Sequence, residues 1–379
     1  MVSLFAGIGG FELAFKTQGI ETTLMCEIDK AAQAVLTHQF PGVPIVDDIC
    51  LLKTLPGETD ILCAGFPCQD LSSVGEKQGM LGSRSSLVRE VFRIIATNKV
   101  EWVIFENVSF MLSLNNGEAI HSIVNELEAL GYNWAYRTID TIAFLPQHRC
   151  RVFVVASLHN NPNDVILSGD FPNNKKILEK EFTTPVGFYW TEGKNALSLI
   201  PDAIPTLKAG STIGIASPPA IMFPSGEVST IEIRDAERLQ GFPAEWTKPA
   251  ESVQKASFRW RLIGNAVSVD TVAWIASKLI KPVPYNTSSD KRLKSSSKWP
   301  KAAWGSNGQR YISEVSLYPV STPIVSLTEF LSFPRKNLSL KAVEGFYNRL
   351  KSGKMRRPDY FDETITNYIN HLKSSNHAN

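Results

Sequence analysis

Ser3-Leu4-Phe5-Ala6-Gly7-Ile8-Gly9-Gly10-Phe11-Glu12-Leu13-Ala14 reads as a short apolar strand, a glycine turn and the first turns of a helix. Glycines at 7, 9 and 10 let the backbone turn sharply and pass close to a ligand. The same alternation continues downstream. Runs rich in β-formers predict strands at Val2–Ala6, Thr23–Ile28, Asp60–Ala64, Trp102–Phe105 and Arg151–Ala156. Between them the apolar period changes to that of a helix. Ser85–Ala96 carries Leu87, Val88, Val91, Ile94 and Ile95 on one stripe, and Glu118–Leu130 carries Ile120, Ile123, Val124, Leu127 and Leu130. Strands alternating with helices predict an α/β fold, a mostly parallel sheet with helices on both faces. Such a sheet binds its ligands beyond the carboxyl ends of its strands.

Length and composition bound what surrounds that core. At 379 residues the chain has room for two or three domains. With 43% hydrophobic and 20% charged residues it is an ordinary globular chain, which excludes a disordered or fibrous protein. No apolar run reaches membrane-spanning length, and Met1–Phe5 does not read as a signal peptide. Cys26, Cys50, Cys63, Cys68 and Cys150 form no CxxC pair. That argues against a zinc site or a disulfide scaffold and for a reduced, cytoplasmic chain with no metal. The net charge of +2 hides an asymmetry: residues 282–379 hold 15 Lys/Arg against 7 Asp/Glu, whereas the rest hold 24 against 30. A basic tail beside an acidic body suggests a polyanionic partner.

From Leu158 the alternation breaks. Pro, Gly and Asn punctuate 158–230, which reads as a loop-rich insert with short strands. Helical periodicity returns at Arg234–Gln240 and Ala266–Leu279. The reading that follows places a core at 1–157, completed by 231–281, around an insert at 158–230. A Ser/Lys/Pro-rich linker at 282–298 and a small, mainly helical extension at 299–379, including Leu340–Leu350, complete it.

Three groups of residues carry candidate chemistry. The glycine loop lacks the third glycine of a dinucleotide fingerprint, with Glu12 in its place, so it suits an adenosyl ligand better than a pyrophosphate. Glu27, at the end of the second strand run, is placed to accept hydrogen bonds from ribose hydroxyls. In Cys63-Ala64-Gly65-Phe66-Pro67-Cys68-Gln69-Asp70 a buried strand ends and Cys68 follows in the loop. Cys26 and Cys63 sit in apolar runs, as small core hydrophobes do. Cys68 sits among polar residues, where a thiol with lowered pKa becomes a nucleophile. Glu106 follows the run Trp102–Phe105 and so reaches the same rim.

Gly65-Phe66-Pro67-Cys68-Gln69 resembles the catalytic loop of the bacterial-type cytosine-5 DNA methyltransferases. Further motifs of that family follow in its order: Phe5-Ala6-Gly7-Ile8-Gly9-Gly10, Asp48-Ile49, Glu106-Asn107-Val108, Gln147-His148-Arg149-Cys150-Arg151, Arg234–Pro243 and Gly264-Asn265-Ala266-Val267. The resemblance covers about 1–281. It implies a Rossmann-like S-adenosylmethionine-dependent methyltransferase fold and the transfer of a methyl group from S-adenosyl-L-methionine to C5 of a flipped-out cytosine. By resemblance Cys68 is the nucleophile, Glu106 holds N3 and the 4-amino group, Arg151 binds O2 and Arg149 holds the site or the backbone nearby. The cofactor would lie among Phe5, Gly7, Gly9, Gly10, Phe11, Glu27, Ile28, Asp48, Ile49, Gly65, Pro67, Leu87, Asn265 and Ala266, with Trp260 as a further packing group.

The family also places target recognition in the insert, here 158–230, where Thr206-Leu207 resembles its Thr-Leu element. Gln69, Ser72, Ser73, Arg84, Thr206 and Leu207 are then the candidate DNA contacts. The implied partner is double-stranded DNA, with a cognate restriction endonuclease if the enzyme belongs to a restriction–modification system and none if it is a solitary modification enzyme; the enzyme itself is expected to be a cytoplasmic monomer. Three alternatives stand beside this reading: an RNA (tRNA) cytosine-5 methyltransferase, a nicotinamide-dependent oxidoreductase and a catalytically silent DNA-binding relative. The first wants Pro-Pro-Cys and a Cys-Phe-Thr signature, which the chain lacks. The second leaves Cys68 and Glu106 unexplained, and the third leaves no reason for the full motif set.

Overall fold

Strand β1 (Val2–Leu4) is buried at all three residues. A strand hidden on both faces has to be covered by helices on both sides. β1 pairs in parallel with β2 (Leu24–Cys26), and β2 with β3 (Ile45–Val46). On its other side it pairs with β4 (Ile61–Ala64), and β4 with β5 (Trp102–Val108), again in parallel. Helices α1 (Gly10–Lys16), α2 (Lys30–Gln39), α3 (Ser86–Asn98) and α4 (Glu118–Ala129) make the crossovers. Asp29 starts α2 by accepting from the backbone N–H groups of Ala31 and Ala32. Leu4, Leu62, Val103, Ile94 and Ile123 are among the residues that fill one continuous core between sheet and helices.

The parallel half was readable, but the sheet continues. Cys150–Ser157 lies antiparallel between β5 and β6 (Asn133–Asp140). Beyond β6 come Ala302–Ser306, Gln309–Ile312 and Lys291–Arg292, giving a ten-stranded sheet.

This computed structural model describes residues 1–66, 86–172, 178–210, 218–294, 298–321 and 325–377. The chain forms two compact units. The first is Met1–Ala143, Cys150–Asn174 and Ala266–Thr322. The second is Phe144–Arg149, Lys175–Asn265 and Pro323–Asn379. That division corrects the expected one. The segment taken for a linker is packed: Lys291 and Arg292 pair with Ile312 and Tyr311, and Tyr285 bonds Asp164, Asp290 and Ser313. The tail is no separate extension, because three of its strands extend the first sheet, while its strand Lys336–Asn337 and its helices join the second unit. Residues 231–265 also belong to the second unit, not to the core that they were expected to complete.

The second unit is built on a five-stranded antiparallel sheet in the order Ile200–Pro201, Val186–Phe188, Ala220–Met222, Val228–Thr230 and Lys336–Asn337. Side chains alternate across it. Phe188, Ala220, Met222 and Val228 meet Phe346 and Phe361 of the C-terminal helices Leu340–Ser352 and Asp359–His377. Ile221 on the opposite face joins Ile204, Leu207, Leu239 and Ile263. Both faces of this sheet are therefore covered. Among the described residues no helix is long and apolar enough to cross a membrane.

Candidate active site

The glycine turn leaves β1 through three residues of positive φ, Phe5, Gly7 and Gly9. At Gly9 a Cβ would run into the Phe40 ring, so this position admits only glycine. The turn is held from β2. Glu27 Oε2 accepts from Gly7 N at 2.7 Å, and its Oε1 accepts from Asp29 N at 2.8 Å. Burial pushes the Glu27 carboxyl above its usual range, and those two backbone donors pull it back. Glu27 thus fixes the loop. Ile28 beside it is 71% exposed. Asp48 accepts from Cys50 N at 2.9 Å and shapes the turn after β3. The Ile49 side chain is buried in the core, so only its backbone can serve a cofactor. Leu87 packs at the edge of the same core.

The carboxyl ends of β4 and β5 complete the rim. A Cβ on Gly65 would lie 3.6 Å from Glu106 Oε2 and 3.8 Å from the Phe11 ring. The glycine loop, the end of β4 and Glu106 therefore share one small volume. Glu106 does not close its strand as expected, since β5 runs on to Val108 and holds it rigidly. Arg151 Nε stands 3.1 Å from Glu106 Oε1. The ε N–H is not aimed along that line, and Oε1 is buried without a hydrogen-bond partner. The carboxylate has a paired charge and an open lone pair. Such an oxygen is costly unless a ligand supplies the donor.

Asn107 was not singled out by sequence, although it stands in the Glu-Asn-Val motif. It is buried, and its Nδ2 donates to Phe66 O at 2.9 Å, immediately before Pro67-Cys68. Phe66 packs edge-on against Phe105. Cys150, for which the sequence offered no account, faces Asp140 across the β6 pairing; burial and that acid push its thiol up to about 12. It is inert. Pro67, Cys68, Gln69, Ser72, Ser73 and Arg84 lie outside the described residues.

Of the remaining candidates, Arg149, Thr206, Leu207 and Asn265 sit in the second unit. Arg149 is buried, and its guanidinium donates to the carbonyls of Leu207 (3.2 Å) and Gly264 (3.4 Å). Of the two roles expected of it, the structure gives it the holding of backbone. Gln147 beside it bonds Leu239 O, Gln240 and Leu207 N. Leu207 is in the core with its N–H and carbonyl both taken, so it is not a DNA contact. Thr206 spends its hydroxyl on His148 O at 2.7 Å. Asn265 is exposed at the end of the helix Arg259–Asn265, and the buried Ala266 begins the next stretch of the first unit. Trp260 packs against the second unit's core, not around a cofactor.

Comparison with known proteins follows the same lines. Residues 1–202 match the C-5 cytosine-specific DNA methylase family. A relative from Bacillus subtilis strain 168, Type II methyltransferase M2.BsuMI, is 44% identical over 96% of this chain and 96% of its own length. The chain belongs to the C-5 cytosine-specific DNA methylase family. It is a DNA cytosine-5 methyltransferase, and the alternatives from other classes fall away. Type II methyltransferase M.MspI of Moraxella is 29% identical over 73% of this chain and 69% of its own. The structure of S. pombe Dnmt2 methyltransferase superposes with a TM-score of 0.55 at 17% identity, over 74% of this chain and 98% of that one. That likeness shows the fold.

Proposed function

We propose that this methyltransferase acts on one cytosine of a short double-stranded DNA sequence, turned out of the helix, through a covalent adduct with Cys68. The observation that carries the reading is the open, buried Oε1 of Glu106 beside Arg151, on the rim shared with the glycine loop. C5 of cytosine is a poor nucleophile. Addition of the Cys68 thiolate to C6, with a proton on N3 held by Glu106, makes C5 enamine-like. Arg151 faces the ring's O2 and stands 3.1 Å from the Glu106 carboxylate. Asn107 fixes the carbonyl of Phe66, the residue that precedes Pro67-Cys68 in the chain. After C5 takes the methyl group, its proton leaves, the C6–S bond breaks and the aromatic ring returns.

S-adenosyl-L-methionine supplies that methyl group when bound. Its fit rests on the positive-φ glycine turn, the carboxylate of Glu27 and the exposed Ile28. The second unit, with its short strands and loops, takes the role of target recognition. Its core residues do not read bases; its exposed loop positions do, with phosphate contacts from elsewhere. By likeness to its Type II relatives the enzyme serves a restriction–modification system beside a cognate endonuclease.

The test is made in a bacterium lacking cytosine-5 methylation. The chain and its Cys68→Ser variant are expressed and the host DNA is sequenced after bisulfite treatment. Protected cytosines in one motif, absent with the variant, are expected. Complete conversion with soluble wild-type protein would overturn the reading and direct the search to transfer RNA.

A further inference from the structure

A cleft of about 340 Å³ opens in the second unit, away from every residue assigned above to the reaction. Its walls are mostly apolar: Pro218, Ile231, Ile233, Trp260 and Pro334 line it, together with Thr230, Glu232, Arg259 and Lys336. Pro334 and Lys336 come from the tail, which the family's common core does not include. The lining continues through Ala256 and Ser257, both exposed.

The unpaired charge around this cleft is positive. Lys255 precedes Ala256, Arg261 follows Trp260, and Lys336 is itself in the lining; all three are exposed, and none has an acidic partner among the described residues. Arg261 only lies over the Phe258 ring. The acids nearby are already engaged. Glu232 caps the helix Ile233–Leu239 through Arg234 N and binds the Arg234 guanidinium. Glu245 and Glu251 both hold the buried Arg259, and Glu251 also holds Lys248. Three cations remain uncompensated around an apolar trough.

We infer that this cleft seats one deoxyribose–phosphate strand of the DNA duplex, with sugars against Trp260 and the prolines and phosphates against Lys255, Arg261 and Lys336. The inference rests on the duplex-DNA reading above and adds where the second unit grips the backbone. An apolar protein patch would leave the three cations without counter-charge, whereas a phosphate strand matches both the apolar floor and the surrounding cations. Contacts of this kind position the enzyme and carry no sequence information.

The experiment measures binding of a fluorescent mixed-sequence duplex by anisotropy from about 50 to 200 mM salt, for the full chain and for the triple variant Lys255→Gln/Arg261→Gln/Lys336→Gln. Loss of three phosphate contacts is expected to reduce the salt slope by roughly 2 to 3. Affinity at about 0.1 M salt is expected to fall at least tenfold. The variant Lys255→Arg/Arg261→Lys/Lys336→Arg is expected to keep the wild-type slope. An unchanged slope in the triple variant, with wild-type protein that binds and methylates the duplex, would overturn the cleft assignment alone. Wild-type protein that neither binds nor methylates the duplex would overturn the DNA reading with it.

Discussion

Glu106 and Glu12 are two buried carboxyls in one unit, and their surroundings give them opposite tasks. Glu106 has Arg151 at 3.1 Å and an open oxygen. Replacing it with Gln keeps the shape and removes the charge that holds a protonated ring. Single-turnover methylation by Glu106→Gln is expected to slow by about 10²–10⁴-fold, with cofactor affinity little changed. Arg151→Ala is expected to lower the rate as well, and Arg151→Lys to restore little, because a point charge does not replace a planar fork. Glu12 has no such partner. It is fully buried in α1, both its oxygens lack a hydrogen-bond partner, and burial raises its pKa to about 7. Ser3 lies close enough to lower that value slightly, Glu27 raises it, and the buried Cys63 thiol, in register with Ser3, is itself pushed well above its usual value. The folded chain therefore binds more protons than the unfolded one between pH 4.5 and 7. Stability is expected to fall through that window, by about 3 kcal/mol, and then to level off. Glu12→Gln is expected to flatten that part of the profile and to raise Tm at pH 8; thermal melts from pH 5 to 8 read it. An unaltered profile in the variant would remove Glu12 as the cause. None of this was visible at the sequence level. Position 12 showed only a missing glycine, because burial belongs to the packed sheet and not to the local string.

Among the elements, the parallel strands were legible because each is an apolar run bounded by turn residues. β6 was not. Its Asn133, Arg137, Thr138 and Asp140 break any apolar pattern, yet Arg137 is fully buried because its guanidinium finds the carbonyls of Ser168, Gly169 and Ser316. Those partners lie up to 179 residues away, beyond any local window. The strand Ala302–Ser306 is hidden for a related reason: Gly305 packs directly beneath the Trp134 ring, where a Cβ has no room. The helices of the tail were visible as amphipathic, but nothing showed what their apolar faces cover. Phe346 and Phe361 both pack on Phe188, at 5.1 and 5.3 Å between ring centres. Phe346→Ala is expected to destabilise the second unit by about 3–5 kcal/mol. Chemical denaturation followed by near-UV circular dichroism checks it, and a loss below about 1 kcal/mol would mean that the tail helices contribute little to that core.

Across the whole molecule, the chain passes from one unit to the other between Arg149 and Cys150 and again between Asn265 and Ala266. Both crossings fall inside motifs that a local reading takes as single sites. The tail is divided in the same way: three of its strands belong to the first sheet, and its strand Lys336–Asn337 and its helices to the second unit. Two accounts of the tail then differ in what truncation does. If residues 290–379 were an appended basic arm, their removal would leave a folded enzyme with weaker DNA binding and a flatter salt dependence. In this fold their removal strips three strands from the open edge beyond β6. It also uncovers Phe188, Met222 and Val228 in the second unit. An unpaired edge and an exposed apolar face are both routes to aggregation. The truncated chain is therefore expected to be insoluble or to lose its cooperative thermal transition. A truncated chain that stays soluble and melts within a few degrees of the full one, with only its salt slope reduced, would return the tail to the role of an arm.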